Sequence, residues 1–478
     1  MSEEYEIVLG LEVHIELATD TKIFCGCSTR FGGTPNSHTC PVCTGMPGSL
    51  PVLNRKVLEY AIAMGLATGC DITRRGRFDR KNYFYPDNPQ NYQISQLYLP
   101  ICRNGAVEIE TSEGSKKVRI HEMHMEEDAG KLIHDDVNDM TLVDYNRSGV
   151  PLIEIVSEPD MRNAEEVIAY LEKIRMTAQY LGISDCKLQE GSMRADVNLS
   201  VHKPGEAFGT RTEMKNLSSF KAITHAIKYE SERQEDAVES GEKVIQETRR
   251  WDDAKGYSYP MRSKEDAKDY RYFPDPDLPP VCVTDDMINE IKGRQPEFRD
   301  EKAARYAKEY GIPEYDIGQI TASKHLADLF EAAAAICGDP KQVSNWLMGE
   351  TMRLMKETET DPEDIRFSPE HLAALIRLTS EKKINSTVAK EVFGEMFNGD
   401  IDPVTYVTEK GLMTVNDTGE LSATAEKVIQ ANPQSVSDYK AGKKKAIGFL
   451  VGQVMKEMHG KADPSSVSGI LAEMLDKD

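Results

Sequence analysis

Four cysteines stand together near the start of the chain: Cys25, Cys27, Cys40 and Cys43, spaced C-x-C-x12-C-x2-C. Four thiolates suit a tetrahedral zinc ion, and a closed four-cysteine set is usually structural rather than catalytic. The second pair lies in "CPVCTG", a turn able to present two sulfurs to one ion. The alternatives are free or redox thiols, or a site in which His38, inside the loop, replaces one cysteine. Cys70, Cys102, Cys186, Cys282 and Cys337 are scattered. An odd total of nine favours one metal site plus unpaired thiols over a disulfide framework.

A second chemistry is written in alternating segments. In "LGLEVHIEL" (9–17), Leu11, Val13, Ile15 and Leu17 point one way, and Glu12, His14 and Glu16 the other. "GSMRADVNLSVH" puts Arg194, Asp196, Asn198 and Ser200 on one face. "RTEMKNLSSF" does the same with Arg211, Glu213 and Lys215, and "IHEMHMEEDAGK" with Glu122, His124 and Glu126, followed by Glu127 and Asp128. One such segment reads as a strand with a wet face. Four of them repeat Glu and Asp with His, where exposed strands usually carry Thr, Lys, Ser and Gln. Like charges on neighbouring strands repel unless a cation sits between them. Oxygen-rich ligands with a few nitrogens suit magnesium, and Arg and Lys beside them suit phosphate oxygens.

Other enzyme classes find no motif: there is no P-loop (in "EDAGKL" the first glycine and the hydroxyl residue are missing), no G-x-S-x-G and no H-E-x-x-H. With 39% apolar and 29% charged residues, the 478-residue chain has a soluble globular composition, expected to form two to four domains. There is no apolar run of membrane-spanning length, and "MSEEYEIVLG" lacks the features of a secretory signal, so a cytoplasmic location is expected. A net charge of −22 argues against a general nucleic-acid binder but allows one basic patch on an acidic body.

These residues need elements to position them. Residues 1–294 mix short alternating strands with few long helices, which predicts an α+β domain: a large antiparallel-sheet cradle carrying the zinc knuckle at 25–43. From 295 the pattern is helical throughout, with several segments opening on Ser or Thr; this predicts a helical domain over 295–405 and a small helical tail domain over 406–478. In the tail, Ile447, Leu450, Val451, Val454 and Met458 form the apolar stripe of an amphipathic helix. Lys443, Lys444 and Lys445 crowd its start, beside Lys440. Positive charge there opposes the helix dipole at about 0.3–1 kcal/mol per charge. Phosphate binding compensates for that; an ordinary solvated lysine face is the alternative.

Nine blocks, in order, resemble the B-subunit family of aspartyl/glutamyl-tRNA amidotransferases: "GLEVHIEL", "CPVCTGMPGSLPVLN", "KNYFYPDNPQNYQISQ", "MEEDAGK", "DYNRSGVPLIEIVSEPD", "GSMRADVNLSV", "TEMKNLSSF", "QETRRWD" and "RYFPDPDLPP". The resemblance covers essentially the whole chain. It implies ATP-dependent phosphorylation of the side-chain carboxylate of Asp-tRNA(Asn) or Glu-tRNA(Gln), then displacement of phosphate by ammonia, giving Asn-tRNA(Asn) or Gln-tRNA(Gln). It implies Glu12, His14, Glu126, Glu127, Asp196 and Glu213 as metal or substrate ligands, with Glu12, His14, Glu126 and Glu213 on Mg2+. It implies Arg194 and Lys215 on phosphate, and Tyr85 against adenine or the terminal base of the tRNA, unless that tyrosine is structural. The lysines 440 and 443–445 then contact the tRNA body. Partners follow from the same resemblance: an amidase-type A subunit that hydrolyses glutamine and passes ammonia on, and a small C subunit. The chain has no glutaminase nucleophile motif of its own. A noncatalytic tRNA-binding scaffold is the competing reading, and a paralogue serving only Gln-tRNA formation is a nearer one, although it typically carries an inserted domain for which 478 residues leave no room.

Overall fold

The structure, a computed structural model, describes residues 5–135, 137–188, 190–263, 270–414, 418–441, 443–458 and 462–477. The chain forms two compact units, Met1–Phe298 and Arg299–Asp478.

The first unit is organised by a sheet whose nine strands are β1 (Glu6–Glu16), β2 (Asp71–Ile72), β3 (Cys102–Thr111), β4 (Gly114–Glu127), β5 (Pro151–Ser157), β6 (Met193–His202), β7 (Thr212–Lys215), β8 (Glu247–Asp252) and β9 (Tyr257–Ser263). Their order across the sheet is β9-β8-β7-β6-β1-β5-β4-β3-β2. The first strand of the chain therefore lies in the middle. Its alternation explains why: Leu9, Leu11, Val13 and Ile15 are at most 1% exposed. Each such burial contributes about 1.5–3 kcal/mol. Helices α1 (Arg55–Ala67), α2 (Ala164–Leu181) and α3 (Phe220–Glu239) pack on strands of this sheet and share one apolar core with it. Each starts at a side-chain cap: Asn54, Asn163 and Ser219 accept from the backbone N–H groups of Lys56, Glu166 and Ala222.

One pair departs from the expected antiparallel pattern. β7 and β8 run parallel, with Glu213 opposite Thr248. Parallel neighbours need a long crossover, and the twenty residues of α3 lie within it. The other pairs in this sheet are antiparallel.

The second unit is helical. It holds two separate apolar clusters, one drawn from Tyr306 to Val407 and one from Leu421 to Leu475. Ser323 caps the helix Lys324–Cys337, whereas Asp339 and Asn385 cap Pro340–Trp346 and Ser386–Gly399. No helix of the described residues is long and apolar enough to cross a membrane.

Candidate active site and metal centre

The four cysteines converge: their sulfurs all lie within 4.8 Å of one another. The donor chemistry fits zinc, and His38 is not part of the group. The Cys43 thiol is pushed down to about 5. The largest cause is a hydrogen bond from Cys25; burial opposes it, and the Cys40 backbone N–H and the Lys22 ammonium reinforce it. The largely exposed loop between the cysteine pairs is held by Asn36, whose left-handed backbone (φ 59°) lets it bridge to the hairpin of strands Lys131–Asp135 and Met140–Asp144. Asn36 N–H donates to Asp144 Oδ1 (2.9 Å), its Nδ2 to the Val143 carbonyl (3.0 Å), and its Oδ1 accepts from Tyr145 N–H (2.8 Å).

The polar strand faces also converge, because sheet register lines them up. Glu12 lies opposite Asp196, and His14 opposite Arg194 on one side and Glu154 on the other. Glu154 in turn faces His124, and Asn198 faces Glu213. The four residues expected around one magnesium fall into two groups. His14 and Glu126 join Glu154; Glu12 and Glu213 join Asp196. In each group one ligand atom per residue lies within 4.8 Å of the others.

The first group is tied by two imidazoles. His14 Nε2 lies 3.4 Å from Glu154 and 3.7 Å from Glu126; His124 Nε2 lies 2.9 Å from Glu154 and 3.7 Å from Glu126. Burial opposes the charge on His124, yet Glu154 and Glu126 together outweigh it and push the imidazole up to about 10. His14 shifts the same way against the same burial. Glu154 is held well below its ordinary value, His124 and His14 overcoming its burial. These protons on histidine offset carboxylate repulsion that a divalent cation would offset more strongly. In the second group, burial and then Glu154 and Glu213 raise Glu12, against a hydrogen bond from Asn198 Nδ2 (3.1 Å). Lys215 Nζ lies 2.5 Å from Asp196 and 2.9 Å from Glu213, and Thr248 donates to Glu213 at 2.7 Å.

Arg194 is anchored at the end of the face by Asp128, 2.8 Å away, to which Arg147 also points at 3.4 Å. Glu16, which is not in the ligand set the resemblance implies, joins this cluster. Burial and then Asp128 push it up to about 8. Glu127 is in neither carboxylate group. It accepts from Ile94 N–H (3.0 Å) and Gln90 Nε2 (3.3 Å) and lines a cavity of about 240 Å³ with Cys25 and Cys43. Burial, the largest cause, pushes it up to about 8. Tyr85 lies, 40% exposed, in a loop where its carbonyl accepts from Asn88 N–H at 3.0 Å. A second cavity, of about 520 Å³, opens on Glu12 and Asn198 and is bordered by Gly10, Phe208, Gly209 and Arg211. Gly209 has no room for a side chain, since a Cβ there would stand 2.1 Å from the Val201 carbonyl oxygen.

Alternation and the resemblance do not point to Glu154 or Lys81, and they name Asp128 only as following Glu127. Glu154 had a signal: it is the lone carboxylate within "PLIEIV". Lys81, on the strand Asp79–Asn82, is pushed up by Glu126, Tyr272 and Glu154 against its burial. In the tail, Lys440, Lys443, Lys444 and Lys445 are exposed, and the helix Ala446–Glu457 begins at Lys445 with no side-chain cap.

Residues 7–289 match the family model described as the GatB/GatE catalytic domain, and residues 328–475 that of the GatB domain. Among curated proteins, the chain is similar to the B subunit of aspartyl/glutamyl-tRNA(Asn/Gln) amidotransferase from Agathobacter rectalis, at 68% identity over 99% of this chain and all of the relative. The protein of the same name from Lachnospira eligens is 66% identical over 99% of this chain and all of the relative, and that of Caldanaerobacter subterraneus 53% over the same shares. With the fold, the register of the strand faces and these full-length likenesses in hand, the chain belongs to the family of aspartyl/glutamyl-tRNA(Asn/Gln) amidotransferase B subunits, the B component of a glutamine-dependent ligase of protein biosynthesis.

Proposed function

We propose that this chain carries the activating step of tRNA-dependent amidation. It transfers the γ-phosphoryl group of ATP to the side-chain carboxylate of Asp-tRNA(Asn) or Glu-tRNA(Gln), and ammonia from an amidase-type A subunit then displaces the phosphate. A small C subunit completes a heterotrimer. The observation that carries this reading is the pair of carboxylate groups on one sheet face, joined through β1, with a cavity ending on Glu12.

Two anions must meet in the first step, so their repulsion has to be offset. Mg2+ fits the oxygen-rich donors Glu12, Asp196 and Glu213, and the set His14, Glu126 and Glu154; bound there it would supply Lewis-acid polarisation of the phosphoryl group. Lys215, fixed between Asp196 and Glu213, presents a cation to phosphate oxygens. Arg194, oriented by Asp128, presents a planar guanidinium suited to a carboxylate or a phosphate. The 520 Å³ cavity, with Phe208 and Arg211 at its border, is of a size for a nucleoside, and Tyr85 remains a candidate to pack on adenine or on the terminal base of the tRNA. Zinc on Cys25, Cys27, Cys40 and Cys43 is structural: it closes the loop that Asn36 docks on the hairpin. The sheet domain does the chemistry, and Lys440 and Lys443–Lys445 of the tail hold the tRNA backbone.

The test uses the chain assembled with an amidase-type partner, given ATP, magnesium and ammonium chloride, with Glu-tRNA(Gln) and Asp-tRNA(Asn) offered separately. ADP and amide are measured for wild type and Glu213→Ala. Loss of both products in the variant places activation on this chain, and the two tRNAs report its specificity. A folded wild-type complex that binds tRNA yet makes no ADP with either substrate favours a scaffold instead.

A further inference from the structure

Lys22 is 0% exposed, among the most deeply buried side chains of the chain. Its ammonium lies 3.5 Å from Cys43 Sγ and 3.1 Å from the Tyr145 carbonyl oxygen. Among the described residues no carboxylate lies within ion-pairing distance of it. A buried ammonium whose partners are one carbonyl and one cysteine sulfur is costly unless that sulfur carries charge, because buried cations are found paired with an anion. Its stem is packed from the other side: a Cβ on Gly149 (φ 83°) would stand 3.5 Å from both Lys22 Cδ and Cys43 Cβ. The side chain is fully enclosed beside the cysteine, so its charge does not snorkel to water.

Four thiolates around Zn2+ carry a net charge of −2 in a partly buried place, and the buried carboxyl of Glu127 borders the same cavity. The other cation lining that cavity, Arg80, is committed to Asp275 and Asp277 at 2.7 Å each. That leaves Lys22.

We propose that Lys22 is the buried counter-cation of the cysteine metal centre, and that tight retention of zinc depends on its charge. The inference rests on the zinc reading above and goes one step beyond it. Each needs the other: the loaded cluster gives Lys22 its anion, and Lys22 lowers the excess negative charge that would weaken the hold on the thiolates.

The experiment measures zinc content of the purified full-length chain, then the rate of zinc release to a chromogenic chelator, for wild type, Lys22→Met, Lys22→Gln and Lys22→Arg. Lys22 borders the cavity of about 240 Å³, the space into which the larger guanidinium would extend. Met and Gln are expected to release zinc about tenfold faster or more, with Arg close to wild type. Stripping the metal should lower the melting temperature of wild type more than that of Lys22→Met, which has no buried charge left unpaired. A chain that folds as Arg but not as Met or Gln also supports a charge requirement. Equal release rates across wild type, Met and Gln overturn the proposal, as does an Arg variant that loses zinc as fast as Met or fails to fold with it, because shape would then be the determinant. Wild type purified with below about half an equivalent of zinc defeats the zinc reading itself, before any variant is compared.

Discussion

Lys215 and Lys443 are both lysines beside carboxylates, and they are held in opposite ways. Lys215 lies between Asp196 and Glu213 on the sheet face, at 2.5 and 2.9 Å, and those two carboxylates raise its pKa against its burial. Lys443 reaches Asp438 at 3.1 Å with 71% of its side chain in water. An exposed pair of that kind is worth about 0–1 kcal/mol and exchanges readily for another anion. Lys215 has 39% of its side chain exposed but is held by two carboxylates that are themselves only 16% and 14% exposed, so its place is fixed and its removal would leave those charges uncompensated. The comparison separates a site that must be arranged before substrate arrives from a surface that needs only to be positive.

The largest expected effect breaks the arranged side. Glu213→Ala should lower ammonium-dependent ADP formation by about 10²-fold or more, since it removes a proposed cation ligand and one of the two carboxylates that hold Lys215. Steady-state assay of the assembled complex checks this, with tRNA binding as the control that should hold. The exposed side breaks differently. Lys443→Glu with Lys445→Glu should weaken tRNA binding about tenfold or more and reduce the salt dependence of affinity by about one unit of slope per lysine. Glutamine hydrolysis by the partner should persist. Unchanged affinity in a titration at two salt concentrations would remove the tail from the interface.

Much of this contrast was legible in the sequence, for a physical reason. Strand alternation assigns Glu12, His14, Arg194, Asp196 and Glu213 each to the polar face of its own strand once each segment is read as a strand. What alternation cannot supply is which strands are neighbours. The grouping of His14 with Glu154 needs the β1–β5 register, and Glu154 sits among apolar residues that hide the period. Asp128 and Arg194 meet across 66 residues, and nothing local announces it. Lys22, in "TDTKIFCGC", reads as a surface lysine until packing shows it enclosed. The parallel β7–β8 pair was likewise invisible, because a helix-length crossover erases the short-turn signal of antiparallel neighbours. The tail read well, since helical periodicity and the lysine run are both local.

Two smaller effects sharpen the comparison. Glu127 is raised by burial to about 8, so the folded chain binds more protons than the unfolded chain between the ordinary carboxyl value and that point. Stability should therefore fall as pH rises through that window, and Glu127→Gln should flatten the slope and raise the melting temperature at pH 8.5. A slope unchanged in the variant would assign it to other groups. At the tail, Lys445→Asp should stabilise the helix Ala446–Glu457 by about 0.3–1 kcal/mol per unit of charge, because it reverses an unfavourable charge at an uncapped N-terminus. The same substitution should weaken tRNA binding. Stability and binding moving in opposite directions, read by thermal melting and by titration, is the signature of a residue kept for its ligand.

The central claim is that the substrate carboxylate is itself phosphorylated on this chain. The direct measurement labels the side-chain carboxylate of Glu-tRNA(Gln) or Asp-tRNA(Asn) with ¹⁸O and analyses the inorganic phosphate after one turnover with ATP and ammonium. A carboxylate oxygen attacks the γ-phosphorus, ADP leaves, and ammonia then expels a phosphate that keeps that oxygen. The account predicts one ¹⁸O per phosphate with the wild-type complex and a rate of transfer that collapses in Glu213→Ala. Amide formation with unlabelled phosphate would contradict it.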